Sequence, residues 1–226
     1  MKFILMFMTM AAAVLLGTDA AAQQSEGDED ALVEYEDAKV DLAYILPEVD
    51  WQKYKSVYIS PLRVTPEARD ARPKRLKDDV GAQSSWLLRE EDISDLAALY
   101  ADAMLEEMSK SGGLEVVDAP HADTLIIAAS IVDIYLTRPR EDARTGSGDQ
   151  AIVYDEYGGA MVMVAVLGDG ATEQVLARAL DKRYPAPGLW YTRNTRERNL
   201  NNAHDIFKAW AKNFRKGLKA VKSGEK

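Results

Sequence analysis

The sequence predicts one α+β domain: a largely antiparallel sheet of about five strands with two main helices, in the order β-α-β-β-β-β-α. Three observations carry this reading. Two segments repeat apolar residues every three or four positions, the period of an amphipathic helix. A continuous apolar run ends at Gly168-Asp169-Gly170 and a second strand-like run follows at once, the signature of a hairpin. Strand-like segments outnumber helical ones, and the hairpin joins the two clearest of them.

The elements follow in chain order. In Trp51 to Pro61 (WQKYKSVYISP), Val57, Tyr58 and Ile59 make a short strand that Pro61 ends. Thr65 to Glu91 is charged and lacks a period, so it reads as a long functional or mobile loop. Asp92 to Lys110 is a helix with Ile93, Leu96, Tyr100, Met104 and Met108 on one stripe. Asp92 or Ser94 caps its start, and Gly112 or Gly113 ends it. Leu114 to Val117 and Thr124 to Leu136 are strands, and Arg138 to Asp149 is a polar loop. Gly159 to Leu167 (GAMVMVAVL) is apolar on both faces, as expected of a central strand covered on both sides. Its partner runs from Glu173 to Tyr184, with Val175, Ala177 and Ala179 on one face and Leu176, Arg178 and Leu180 on the other. Pro185 to Leu200 reads as a loop holding Arg193, Arg196 and Arg198. Asn202, with Asp205 three residues on, caps a last helix whose apolar face is Ile206, Phe207, Trp210, Phe214, Leu218 and Val221.

The N-terminus reads as a targeting segment. Lys2 precedes an apolar run from Phe3 to Gly17 that is broken only by Thr9, and Ala20-Ala21-Ala22 supplies the small residues of a cleavage site. A membrane span needs about 20 apolar residues, and Thr18 and Asp19 interrupt this run. Residues 1–22 are therefore expected to be a cleaved signal peptide and the mature chain to begin near Gln23, in the periplasm, with no transmembrane span left. Residues 23–48 follow as an acidic linker, 49–222 as the single domain and 223–226 as a tail. The absence of cysteine excludes lipid anchoring through that residue, along with disulfides, Cys-ligated zinc and a thiol nucleophile. The 226 residues carry 28 Lys and Arg against 37 Asp and Glu, a net charge of −9 that argues against nucleic-acid binding.

Taken together, VDWQKYKSVYISP (Val49 to Pro61), EEDISDLAALYADAMLEEM (Glu90 to Met108), VVDAPHADTLIIAASIVDIYL (Val116 to Leu136), ARALDKRY (Ala177 to Tyr184) and KAWAKNF (Lys208 to Phe214) resemble the bacterial family known as domain of unknown function 3313. Their order carries the resemblance, which covers nearly all of the mature chain. It implies an exported envelope protein. Many members carry a lipid-anchored N-terminal cysteine, and this chain departs from them there. The family has no established activity, so no functional residue is carried over.

The residues supply little catalytic material. His121 and His204 are the two imidazoles, far apart and without a second ligand at i+2 or i+4, apart from Asp123 in HADT, which reads as a surface turn. Ser147 lies between Gly146 and Gly148 in a polar loop, with neither a G-x-S-x-G nor a dinucleotide or Walker pattern around it. Asp133 and Asp181 interrupt strands and read as structural ion pairs or edge positions, with Arg178, Lys182 or Arg183 as partners for a buried carboxylate. Asp155 and Glu156 read as an exposed turn. No catalytic residue, metal or cofactor is expected.

The candidate interaction surface is basic: Lys208, Lys212, Arg215, Lys216 and Lys219 on the last helix, with Arg193, Arg196 and Arg198 before it. The favoured function is an exported, non-enzymatic interaction or accessory protein in the periplasm, its partner an envelope protein or an anionic membrane surface. A carrier of a small apolar ligand or lipid is the alternative, with Met104, Met108, Met161 and Met163 as pocket or core residues. A periplasmic hydrolase stands behind both. An apolar cavity between helices and sheet favours the carrier, and a cleft placing His121 beside a carboxylate favours the enzyme.

Overall fold

A computed structural model describes residues 31–72, 87–110, 113–136, 154–155, 159–185, 192–193 and 195–224. In chain order the described strands are β1 (Val33–Glu34), β2 (Leu42–Ile45), β3 (Ser56–Ile59), β4 (Arg63–Val64), β5 (Glu115–Val116), β6 (Thr124–Tyr135), β7 (Tyr154–Asp155), β8 (Ala160–Asp169), β9 (Val175–Arg183) and β10 (Thr192–Arg193). Helix α1 (Glu90–Met108) lies between β4 and β5, and α2 (Arg196–Ser223) follows β10.

The architecture is α+β, as the sequence predicts, but the sheet is larger and mixed. Among the described residues it has eight strands in the order β1-β2-β9-β8-β6-β3-β5, with β4 also on β6. The hairpin β8–β9 and its neighbours β2 and β6 are antiparallel. β3 and β4 instead run parallel to β6, and β5 runs parallel to β3. Pro61, which has no N–H to donate, falls between β3 and β4, which pair with β6 as two separate strands. Strands β1 and β2 lie within the stretch expected to be an acidic linker. The run Leu42-Ala43-Tyr44-Ile45 extends the sheet beyond β9.

β6 is buried on both faces. Leu125, Ile127, Ala129 and Ile131 meet the helices in the main core. Ile126 and Ala128 point to the opposite face and are buried there as well. A bulge between Ile131 and Asp133 inserts Val132 and shifts the register, after which Ile134 returns to the helix side. A second shift, between Leu167 and Gly168, corrects the face assignment of β9. Val175 and Leu180 pack with Val164 and Val166 on the far face, whereas Leu176 and Ala177 both pack in the main core. Simple alternation fails because one extra residue flips every side chain beyond it.

Helix α1 buries Leu96, Tyr100, Met104 and Met108 of the expected stripe and leaves Ile93 half-buried. Asp92 is its third residue and not its cap: its Oδ2 accepts the Arg89 backbone N–H at 2.9 Å. Helix α2 begins seven residues earlier than the Asn202 cap implies. Thr195 is the N-cap, its hydroxyl accepting the Arg198 N–H at 3.2 Å. Asn199, Asn201 and Asn202 are thus interior helical residues, tolerated because Asn lowers helix propensity by well under about 1 kcal/mol. Arg196 and Arg198 belong to α2 and not to a loop. The helix ends at Gly224, whose φ of 68° is the left-handed conformation a helix C-terminus favours.

Two further expectations are refined. Asp155 is in β7, paired with Thr192 of β10, and not in a turn; residue 156 lies outside the described residues. The ends of the long loop are anchored, with Ala68 and Ala71 fully buried and the Leu136 N–H donating to the Ala71 carbonyl. Residues 73–86 and 137–149, and with them Ser147, lie outside the described residues.

Candidate functional site

The two helices run parallel, and their charges show why. Helix α1 carries acids and no base, whereas α2 is predominantly basic. Arg196 meets Asp92 at 3.3 Å and Asp95 at 2.6 Å near both N-termini; further along, Lys208 meets Glu106 at 2.9 Å and Arg215 meets Glu107 at 3.1 Å. Glu107 is buried; hydrogen bonds from Lys110 and Arg215 hold its carboxyl below the usual range. Antiparallel helices would put these partners at opposite ends. Aromatic packing fixes the spacing, with Tyr100 edge-on to Phe207 at 5.7 Å and Phe207 beside Trp210 at 5.9 Å.

Because the helices are parallel, both N-termini reach the same end of the sheet, where β6 ends, β8 begins and β9 runs out at Pro185. A cavity of about 360 Å³ lies there. Its apolar wall comes from Leu88 and Leu96 on the α1 side, Ile134, Leu136 and Met161 from the sheet, and Leu200 and Ile206 from α2. The space is open because Gly159, Ala160 and Ala203 line it with almost no side chain. Gly159 has no substitute: its φ is 126°, and a Cβ there would sit 2.2 Å from the Tyr135 carbonyl oxygen.

Polar groups surround this apolar space in two sets. At the mouth, Arg196 and Asp92 line the cavity and, with Asp95, form the interhelix clamp; Asp92 also accepts the Arg89 N–H, and Thr195 caps α2. On the α2 wall, Asn199 and Asn202 line the cavity. Asn199 Oδ1 and Asn202 Nδ2 are each buried with no hydrogen-bond partner among the described residues. A volume of 300–1,000 Å³ with apolar walls and a few convergent polar groups is the usual form of a small-molecule site. Such a site binds and orients. No group of three or more His, Asp or Glu among the described residues is placed to hold a metal.

The structure divides the predicted basic surface. Lys208, Arg215 and Arg196 are engaged with α1, and Arg198 makes a further interaction. Lys212, Lys216 and Lys219 are exposed at i, i+4 and i+7, a single row with no ion pair among the described residues. Arg193 lies in β10, away from the α2 row in sequence, and its side chain is not among those described. His121 is exposed in the turn entering β6, where its N–H donates to Thr124 Oγ1; His204 is half-buried on α2. Met161 lines the cavity, while Met104 and Met108 belong to the core.

The strand carboxylates are structural. Asp181 accepts Trp210 Nε1 at 2.7 Å, Arg183 Nε at 2.5 Å and the Asp41 N–H at 3.1 Å. Asp133 is hydrogen-bonded to Tyr135, whose hydroxyl is pushed up to about 12 by burial and then by that carboxylate. Sequence reasoning missed Asp169, the middle residue of the hairpin signal. It is 2% exposed and accepts from Lys53, from the Tyr54 hydroxyl at 2.7 Å and from the backbone N–H groups of Ala171 and Thr172. It locks the β8–β9 turn onto the segment before β3.

A family model described as "Protein of unknown function (DUF3313)" matches residues 22–214. The chain belongs to this family. No curated protein matches it. Among solved structures, it is similar to the PelC dodecamer from Paraburkholderia phytofirmans, at 8% identity over 71% of this chain and 89% of that one, with a TM-score of 0.36. A DUF330 protein from Xanthomonas campestris has 9% identity over 80% and 94% of the two chains, TM-score 0.41. A minor lipoprotein from Acinetobacter baumannii has 9% identity over 74% and 94%, TM-score 0.33. At these identities and TM-scores they assign no activity or partner to this family member. No described helix is long and apolar enough to cross a membrane.

Proposed function

We propose that this protein is an exported, non-enzymatic component of the bacterial envelope that holds a small apolar molecule in the cavity between its helices and sheet. The cavity carries this reading: an apolar space lined by Gly159, Ala160 and Ala203, where a core would ordinarily be filled to crystal-like density. Export rests on the leader-like residues 1–22, with cleavage before Gln23.

The test is binding of a neutral apolar fluorophore, N-phenyl-1-naphthylamine, to protein recovered from periplasm, with mass spectrometry of its organic extract. The parent should bind the fluorophore at one site, and Ala203→Phe, which fills the space, should lose it while keeping its circular dichroism. Equal binding by both proteins, or none by the parent, would reject the carrier reading.

The exposed row of Lys212, Lys216 and Lys219 supports a second, compatible role: docking against an anionic leaflet. Three lysines near such a surface contribute on the order of 3 kcal/mol in total, screened by salt.

A further inference from the structure

We infer that the cavity selects an apolar chain with an uncharged head that both donates and accepts a hydrogen bond, an alcohol or primary amide, over the corresponding carboxylate. The inference rests on the carrier reading and concerns the head alone.

The first argument is the pair of amides. Asn199 and Asn202 are three residues apart on α2 and so share one face of the helix. Both line the cavity. One leaves an acceptor unsatisfied and the other a donor, namely Asn199 Oδ1 and Asn202 Nδ2. Buried polar groups are almost always paired, and an unpaired one is costly. The χ2 torsion of Asn is soft, so each amide can turn toward a guest. An alcohol or primary amide offers one donor and one acceptor to this pair. Apolar side chains would suffice to hold a plain hydrocarbon.

The second argument is what the cavity withholds from an anion. Arg196 is the cation of α2 at the mouth, and it is bound to Asp92 and Asp95. Arg89 faces Glu91 at 3.8 Å. Each helix start already has a side-chain acceptor of its own, Asp92 Oδ2 taking the Arg89 N–H and Thr195 Oγ1 the Arg198 N–H. A carboxylate placed beside Asn199 would also meet the field of Glu91, Asp92 and Asp95 while leaving the Asn199 oxygen without a donor.

The experiment displaces bound N-phenyl-1-naphthylamine from the full mature chain with decanol, decanamide or decanoate at about pH 8, where the carboxylate is ionised. Decanol and decanamide should displace the probe at concentrations at least about tenfold lower than decanoate, as one or two extra hydrogen bonds allow. Asn199→Leu/Asn202→Leu should reduce this preference to under about threefold while still binding the probe. Asn202→Ala alone, which should weaken the preference in the same direction, serves if the double variant does not fold. Equal displacement by all three ligands, tighter decanoate binding, or an undiminished preference in a folded variant would overturn the head assignment and leave the cavity reading standing. Failure of the parent to bind probe and ligands alike would overturn both.

Discussion

Replacing Asp181 by Leu tests how the last helix is held on the sheet. The carboxylate is buried, and its three donors come from three elements: Trp210 Nε1 of α2, Arg183 Nε of β9 and the Asp41 N–H just before β2. Leucine keeps much of the volume and removes every acceptor. The Trp210 ring is 4% exposed, so its N–H then has no water to turn to. Leaving such a donor unmet costs about 1–3 kcal/mol. The Asp41 N–H is part-buried and adds about 1 kcal/mol. The Arg183 side chain is 28% exposed and recovers hydration, so its lost pairing adds little. The sum is about 2–4 kcal/mol, or roughly 5–15 °C in Tm for a domain of this size. Calorimetry and urea denaturation would measure it. Trp210→Phe removes the donor instead, and the double variant should be less destabilised than the two singles added together, by about 1 kcal/mol. A Tm for Asp181→Leu within about 2 °C of the parent would refute the reasoning, as would strict additivity.

The acid limb of stability should belong partly to Asp169. Burial raises its pKa, but hydrogen bonds from Lys53, Tyr54, Thr172 and Ala171 outweigh that and hold it well below the ordinary carboxylate range. A depressed folded-state pKa gives stability that is complete above the unfolded value of about 3.9 and is lost as pH falls toward the folded one. Asp169→Asn should therefore lower stability at neutral pH and flatten its decline below about pH 4 in urea titrations; parallel parent and variant curves would contradict this. The exposed lysine row makes a separate prediction. Lys212→Gln/Lys216→Gln/Lys219→Gln should co-sediment less with anionic liposomes than the parent at low salt, and both should release at high salt. Equal sedimentation of the two proteins would remove these lysines from any docking role.

What was legible in the sequence follows the range of the interactions involved. The α1 stripe, the β8–β9 hairpin and the two-faced apolar character of β8 are local patterns, and each appears where the sequence predicts it. The parallel pairings of β3 with β5 and β6 were not legible, because they join residues near 57 to residues near 116 and 125 through side chains that would suit either direction. Helix α2 was placed late because the Asn-rich run Asn199-Leu200-Asn201-Asn202 imitates a cap, while Thr195 does the capping about two turns before Asn202. The interhelix clamp was half visible: the acids of one helix and the bases of the other stand in plain sequence, but only a parallel arrangement matches Arg196 to Asp92 and Arg215 to Glu107. This matching also bears on function. It turns Arg196, Lys208 and Arg215 inward, away from any partner, and it brings two helix N-termini to one end of the sheet. A cavity is a property of side chains that are missing, and no single segment records it. Gly159, Ala160 and Ala203 are ordinary residues in their own elements. They become a site when parallel helices set them opposite one another, with Asn199 and Asn202 on the wall between.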